Sequence, residues 1–271
     1  MLTDGDVERW LREDVGHHDV TNDVPGETTG RLVAKESGVA AGVDAAARVF
    51  EYLDATVTEH VGEGTQVARG DIVLRVEGPA RAVLRGERVA VNVAGHASGV
   101  ATATREVVDA VHEVDSDVAV AATRKTTPGL RGVEKRAVAA GGGDTHRLDL
   151  SHMVMVKDNH VAELGLAEAV ARFREAASFA TKVEVEVERP ERVPEAAAAG
   201  ADIVLLDNMS PAETAEGVAA LDAADAAALT EASGGITRET APEYAETGVD
   251  ALSMGSLTHS APSLDYSFRT G

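Results

Sequence analysis

The spacing of apolar positions divides the chain into two regions with different periods. In the first region, short apolar runs separated by glycine turns predict a helix at 4–13 and strands at 30–35, 55–59 and 71–77. From about residue 79, apolar side chains recur every three or four positions as far as Val111. This period predicts one long helix or a pair of helices.

After this helical stretch the chain alternates between short apolar segments and segments rich in Ala and Glu. Strands are predicted at 117–123, 153–156, 182–188, 202–206, 227–231 and 249–253. Helices are predicted between most of them, at 164–180, 192–199, 212–221 and 239–247. Strands that alternate with helices are typical of a parallel sheet, and about six such units favour a β/α barrel.

The spacing of glycines in the stretch 61–71 is similar to that of a biotinyl or lipoyl carrier module. Such a carrier displays a lysine at a hairpin tip. Because residues 55–87 contain no lysine, we reject the carrier interpretation of this segment. The fold class is therefore expected to be α/β, with a mixed, sandwich-like α/β domain at 1–101 and a β/α barrel catalytic domain at 102–255. A tail at 256–271 is expected to pack back on the first domain.

Charge is the unusual feature of the composition. The 271 residues include 46 acidic and 25 basic side chains, a formal net charge of −21. A field of that sign repels nucleic acids and anionic membranes, so neither is expected as a partner. Two interpretations stay open: solubility through charge, or adaptation to a high-salt cytosol, which the five lysines and 3% aromatic content favour.

Several absences narrow the function classes. The chain has no cysteine, which excludes disulfides, thiolate metal sites and cysteine nucleophiles. No apolar run approaches the length of a membrane helix, and the acidic N-terminal segment does not have the pattern of a signal peptide. Walker A and Gly-x-Ser-x-Gly motifs are also missing. We therefore expect a cytoplasmic protein that is neither a P-loop enzyme nor a serine hydrolase.

Polar side chains cluster at the predicted carboxyl ends of the barrel strands, where β/α barrels carry their active sites. Among them, four bases predict a pocket for a multiply charged anion: Arg124, Lys125, Arg147 and Lys157. The alternative is that these bases only pair with nearby acids, which we prefer for Lys135 and Arg136.

Two further groups fit phosphate and metal chemistry. Ser233, Gly234 and Gly235 precede a helix expected to begin near Thr237, where backbone N–H groups could hold a phosphate; a plain turn is the alternative. Glu186 and Asp207 predict a site for a divalent cation and ribose hydroxyls, unless they merely balance the basic pocket.

Three ordered motifs together are highly specific. They read Thr-Arg-Lys-Thr-Thr-Pro-Gly-Leu-Arg at 123–131, Gly-Gly-Gly-Asp-Thr-His-Arg at 141–147 and Lys-Asp-Asn-His at 157–160. With them the chain resembles the quinolinate phosphoribosyltransferase family essentially from end to end. One departure is His18, which stands where the family often has Gly before the Asp.

This resemblance implies transfer of a phosphoribosyl group from phosphoribosyl pyrophosphate to quinolinate, with decarboxylation, in NAD biosynthesis. It also implies Mg²⁺ as cofactor, an open β/α barrel of the type II phosphoribosyltransferase kind, and a homodimer or higher oligomer whose subunits complete each other's sites. The implied quinolinate-binding residues are Arg88 (reaching across the interface), Thr123, Arg124, His146, Arg147 and Lys157. The implied residues for the phosphoribosyl donor are Lys125, Glu186, Asp207, Ser233, Gly234, Gly235 and Gly255.

Within that set, the resemblance implies catalytic roles for Lys125, Lys157, Glu186 and Asp207. Glu186 and Asp207 would also serve the metal, directly or through the ribose hydroxyls. Two rival functions stay open. One is phosphoribosyl transfer to nicotinate or another ring, although four bases suit a diacid better than a monoacid. The other is a non-catalytic barrel that binds phosphorylated ligands, which would have little use for Glu186 and Asp207.

Overall fold

The computed structural model describes residues 2–271, which form two compact units. The first unit contains the described residues up to Arg105 together with Thr126–Gly142 and Leu257–Gly271. The second contains Glu106–Lys125 and Gly143–Ser256. The chain therefore enters each unit more than once.

Helices and strands alternate through most of the chain. The helices are α1 (Asp4–Val15), α2 (Val43–Tyr52), α3 (Ala80–His112), α4 (Arg131–Ala140), α5 (Asp158–Leu164), α6 (Leu166–Ala176), α7 (Val193–Ala198), α8 (Pro211–Ala223), α9 (Ala241–Ala245) and α10 (Ser256–His259), with a 3₁₀ turn at Pro190–Arg192. The strands are β1 (Glu27–Ala34), β2 (Gly38–Val39), β3 (Thr56–His60), β4 (Gln66–Val67), β5 (Ile72–Pro79), β6 (Ala119–Ala121), β7 (Val154–Val156), β8 (Val183–Val187), β9 (Ile203–Asp207), β10 (Leu229–Ser233), β11 (Ala251–Ser253) and β12 (Tyr266–Thr270).

The first unit is built on a four-stranded antiparallel sheet in the order β12-β1-β5-β3, beside a two-stranded β2-β4 pair. Its core joins apolar side chains of β1 and β5 to those of α2 and α3, including Leu32, Phe50, Leu74 and Ala90. The Phe50 ring stacks on Phe268 of β12, with centroids 5.4 Å apart. The C-terminal strand is therefore part of this core.

Most elements predicted for the first unit are confirmed, and the long apolar stripe belongs to one helix, α3, of 33 residues. Helix α2 was not predicted. It begins after Gly42, whose left-handed backbone (φ 68°) separates it from the preceding strand by a short turn. Its alanines are buried, so it packs closely on the sheet without an obvious apolar run in the sequence.

The second unit is a six-stranded sheet in the order β6-β11-β10-β9-β8-β7, and every paired neighbour is parallel. Helices follow the strands, and apolar side chains such as Val156, Val185 and Leu206 fill the space between strands and helices. This arrangement confirms the predicted open β/α barrel fold. The carboxyl ends of all six strands lie along one edge because the strands are parallel.

Some elements after α3 differ from the prediction. Strand β10 covers Leu229–Ser233, two residues later than expected, which places Ser233 at its last position. Helix α4, which follows the 123–131 motif, was not predicted and belongs to the first unit. Throughout residues 2–271, no helix is both long enough and apolar enough to cross a membrane.

Candidate active site at the carboxyl edge of the parallel sheet

All the predicted site residues except Arg88 lie in the second unit, at or just after the ends of its strands. Thr123, Arg124 and Lys125 follow β6, and the Lys125 N–H donates to Thr123 Oγ1 at 3.1 Å. His146 and Arg147 come shortly after Asp144, which forms an isolated parallel bridge with Ala121. The remaining predicted site residues lie at or just after the ends of the later strands: Lys157, Glu186, Asp207, Ser233, Gly234, Gly235 and Gly255. Arg88 is exposed on α3 in the first unit.

His146 is held by two acidic side chains from inside the sheet. Its Nε2 lies 3.0 Å from Glu231 Oε2 and 3.7 Å from Glu184 Oε2. Glu184 is fully buried and Glu231 is 2% exposed. Burial lowers the pKa of His146, but the hydrogen bond to Glu231 and the charges of both carboxylates outweigh it and raise that pKa to about 10. The ring is therefore an imidazolium at neutral pH.

Arg147 is a buried guanidinium with unused donor capacity. It is 8% exposed, its Nη2 donates to Met155 Sδ at 2.9 Å, and its buried Nε has no hydrogen-bond partner within residues 2–271. Burial lowers the pKa of Arg147, and the nearby charge of Arg124 lowers it further, while Glu184 opposes both. A buried charged donor without a partner is costly, so this side chain is suited to an anionic ligand.

A second cluster lies on β7, β8 and β9. The Lys157 Nζ donates to Glu186 Oε2, and the nearby Asp207 accepts from Asn208 Nδ2 at 2.6 Å. Burial raises the pKa of Asp207 and the charge of Glu186 raises it further, whereas Lys157 and Lys125 oppose the shift. Two carboxylates and two lysines therefore share one electrostatic environment.

The Ser233-Gly234-Gly235 loop is shaped by close backbone packing. Gly234 (φ 97°) and Gly235 (φ 63°) both have left-handed backbones. A Cβ on Gly234 would lie 2.3 Å from Asn208 Oδ1, and the Asn208 N–H donates to the Ser233 carbonyl at 2.8 Å. The following helix α9 begins at Ala241, not near Thr237, and has only five residues. The expected helix N-terminus is therefore wrong as a phosphate site, and the N–H groups of the loop remain as the donors at this position.

Sequence reasoning missed the roles of Glu184 and Glu231. Glu184 and Glu186 lie on the same face of β8, but only Glu186 was assigned a site role, and Glu231 was assigned none. The available signal was a charged residue inside an otherwise apolar strand of a barrel, which requires a buried basic partner. That partner, His146, is distant in sequence, so only the fold identifies the pair.

Two family models, several relatives and several solved structures match this chain. The family model "Quinolinate phosphoribosyl transferase, N-terminal domain" matches residues 18–98, and its C-terminal counterpart matches residues 100–269. The chain is 42% identical to a probable carboxylating nicotinate-nucleotide pyrophosphorylase of Methanothermobacter thermautotrophicus, with 96% of each chain covered. It is also 42% identical to the human carboxylating nicotinate-nucleotide pyrophosphorylase, covering 97% of this chain and 90% of the human one. The crystal structure of NadC from Streptococcus pyogenes superposes with a TM-score of 0.91 at 40% identity, covering 100% of this chain and 98% of the other.

Proposed function

The chain belongs to the quinolinate phosphoribosyltransferase family, and on that premise we propose that it converts quinolinate and phosphoribosyl pyrophosphate to nicotinate mononucleotide, pyrophosphate and carbon dioxide. The observation that carries this proposal is the pair formed by His146, a charged imidazolium, and Arg147, a buried guanidinium without a partner on Nε. Together they supply two adjacent cationic donors at the carboxyl edge of a parallel sheet.

The acceptor binds through its two carboxylates. Arg124, His146, Arg147 and Lys157 supply the positive charges, and Thr123 adds a hydroxyl. Guanidinium donors match carboxylate oxygens in pairs, which fixes the plane of the pyridine ring as well as its position. A ring with a single carboxylate would leave part of this buried charge without a counterion, so the site favours a diacid.

The phosphoribosyl donor binds beside it, at the ends of β7, β9 and β10. Lys125 and Lys157 neutralise oxygens of the pyrophosphate, and the Ser233-Gly234-Gly235 loop and Gly255 offer backbone N–H groups to the 5-phosphate. Glu186 and Asp207 face the ribose, where carboxylates hydrogen-bond the hydroxyls. As the pyrophosphate leaves, positive charge develops at the anomeric carbon, and fixed charges around it stabilise that state.

The chemistry is complete without an organic cofactor. The pyridine nitrogen attacks the anomeric carbon as the bond to pyrophosphate breaks, which leaves the nitrogen cationic. The carboxylate next to that nitrogen then leaves as carbon dioxide, and its bonding electrons remain on the ring carbon, where the cationic nitrogen stabilises them. A proton from solvent completes nicotinate mononucleotide.

Mg²⁺ fits the donor set of this site. Glu186 and Asp207 are close enough for the charge of one to raise the pKa of the other, and hard oxygen donors with a diphosphate are the ligands that Mg²⁺ prefers. Glu186 and Asp207 would hold the ion, directly or through the ribose hydroxyls, and it would neutralise charge on the leaving pyrophosphate. Without added Mg²⁺, donor binding should fall sharply.

The proposal includes an assembly of at least two subunits in the cytoplasm. Arg88 is exposed on α3, and its Nη2 lies 3.8 Å from Oε1 of the neighbouring Glu87. Such a side chain is available to enter a neighbouring subunit's quinolinate pocket. Arg88→Ala should therefore raise the KM for quinolinate, and mixing it with a variant inactivated at Lys157 should restore part of the activity.

The test is a product assay with two acceptors. Purified protein is incubated with phosphoribosyl pyrophosphate, Mg²⁺ and either quinolinate or nicotinate, and nicotinate mononucleotide is measured. Formation from quinolinate alone supports the proposal. Formation from nicotinate alone would mean that the acceptor is a monoacid, and no product from either would leave only a phosphorylated-ligand binding barrel.

A further inference from the structure

Two buried carboxylates beneath the basic pocket have no role in the chemistry above. Glu184 on β8 and Glu231 on β10 both face His146, and neither Glu184 oxygen nor Glu231 Oε1 has a hydrogen-bond partner in the described chain. Ionised carboxylates this deeply buried are costly unless they compensate another charge. Burial raises the pKa of Glu184 to about 7 although His146 opposes the shift, so Glu184 titrates near neutral pH. The common neighbour of the two carboxylates is the His146 ring.

The two contacts are not equivalent. Glu231 Oε2 lies 3.0 Å from His146 Nε2, a normal hydrogen-bond distance, whereas Glu184 Oε2 is 3.7 Å away. Both carboxylates contact the His146 ring at Nε2. In an imidazolium the second N–H is on Nδ1, so that group is the one able to donate to a bound anion.

We propose that Glu231 is a positioning residue for the quinolinate pocket: it accepts the Nε2–H of His146, fixes the ring, and keeps it doubly protonated so that Nδ1–H can donate to a substrate carboxylate. This inference rests on the proposed function for the identity of the anion. The state of the ring does not depend on that identity.

The charges around His146 agree with this role. Glu184 faces the ring from β8 and Glu231 from β10, Arg147 is its neighbour in the chain, and the His146 backbone N–H donates to Asp144 Oδ1. Burial and the adjacent guanidinium both oppose a second positive charge. The ring therefore needs a directly hydrogen-bonded carboxylate to stay charged, and Glu231 supplies it.

The same three side chains are close enough to hold a metal ion, since their ligand atoms lie within 4.8 Å of one another. The charge of Arg147, which interacts with both Glu184 and Glu231, disfavours a second cation there. The experiment below is therefore carried out in EDTA as well as without it.

The first measurement follows ring protonation by NMR in the ligand-free protein, using labelled histidine and His146→Gln for assignment. In the wild type, His146 should stay charged to about pH 9, whereas in Glu231→Gln it should titrate near or below the ordinary value of about 6.5. The matched control is Glu134→Gln, which removes a fully buried carboxylate 2.8 Å from another histidine, His96, in the first unit. That control should leave the titration of His146 unchanged.

The second measurement follows the pH dependence of the KM for quinolinate. Glu231→Gln should resemble the wild type near pH 6 but show a KM about 10- to 100-fold higher near pH 8.5, where its ring is neutral. The KM for phosphoribosyl pyrophosphate should not follow this profile. In the double variant with His146→Gln, the loss of Glu231 should add no further pH dependence.

The outcomes separate the two proposals. An unchanged His146 titration in Glu231→Gln would overturn the positioning role. A neutral ring that takes up a proton only after EDTA treatment would overturn it too, because a bound metal ion would then occupy the place of the proton. If the KM for quinolinate has the same pH dependence in Glu231→Gln as in the double variant Glu231→Gln with His146→Gln, the effect does not pass through His146. Glu231 would then act structurally. If the wild type makes no nicotinate mononucleotide, the proposed function fails, while the NMR result still decides the state of His146.

Discussion

Removing the guanidinium of Arg147 should abolish most activity without unfolding the protein. Arg147 is 8% exposed, and its Nε has no hydrogen-bond partner in the part of the chain that is described. Its Nε–H is therefore available for a ligand. Each charge-assisted hydrogen bond contributes about 1.5–3 kcal/mol, and a paired contact to a carboxylate uses two of them. We expect Arg147→Ala to lose at least about 3 kcal/mol of transition-state stabilisation, or roughly 100-fold in kcat/KM.

The effect should be specific to the acceptor. The assay measures nicotinate mononucleotide while quinolinate and phosphoribosyl pyrophosphate are varied in turn, because the loss should fall mainly on quinolinate. Arg147→Met is the matched control for packing, since it keeps a long side chain beside Met155 but carries neither the charge nor the N–H that donates to Met155 Sδ. Both variants should keep the wild-type circular dichroism spectrum, and added guanidinium should restore part of the activity of Arg147→Ala only. Near-wild-type turnover in either folded variant would remove Arg147 from the site.

Three other outcomes follow from the same structure. Gly234→Ala should raise the KM for phosphoribosyl pyrophosphate strongly, because the new Cβ would lie 2.3 Å from Asn208 Oδ1. In Gly235→Ala the new Cβ would meet no atom within 4 Å, so this variant should cost only about 1 kcal/mol of backbone strain. Equal effects of the two substitutions on that KM would contradict the loop assignment. Gly99→Ala should lower the melting temperature, because its Cβ would lie 1.9 Å from a backbone carbonyl oxygen of the C-terminal segment, at a cost of about 1–3 kcal/mol. Gly132→Ala, with open space around it on α4, should be neutral or slightly stabilising, and a larger loss there than at Gly99 would refute the packing argument. Raising KCl from about 0.1 M to about 2 M should increase the melting temperature, because screening weakens the self-repulsion of a chain with net charge −21; no increase would leave only the solubility interpretation of its acids.

The parallel sheet was predictable because its strands are short apolar runs bounded by turns and helices. Those runs also locate the edge where chemistry occurs, since every parallel strand ends on the same side. Helix α2 was missed because its buried side is largely alanine, which does not stand out among the many alanines of this chain. Helix α4 was missed because its two arginines and its one lysine were considered only as charges, although Lys135 is buried.

The site was predictable where motif and strand end coincide, as at Lys157 and Asp207. It was not predictable where burial decides the role. Glu184 and Glu186 share a face of β8, yet only the fold shows that Glu184 reaches His146 while Glu186 reaches Lys157. The same holds for Asn208, whose contact with Gly234 depends on β9 and β10 being neighbours in the sheet.

The central claim is decarboxylating transfer to quinolinate, and carbon release tests it most directly. The protein is incubated with Mg²⁺, phosphoribosyl pyrophosphate and quinolinate labelled in the carboxyl group next to the ring nitrogen, in low salt and again in KCl at about 2 M. The account predicts labelled carbon dioxide and nicotinate mononucleotide in equal amounts, with neither formed when the donor is omitted. Product that retains the label, or nicotinate mononucleotide formed only from nicotinate, would contradict it.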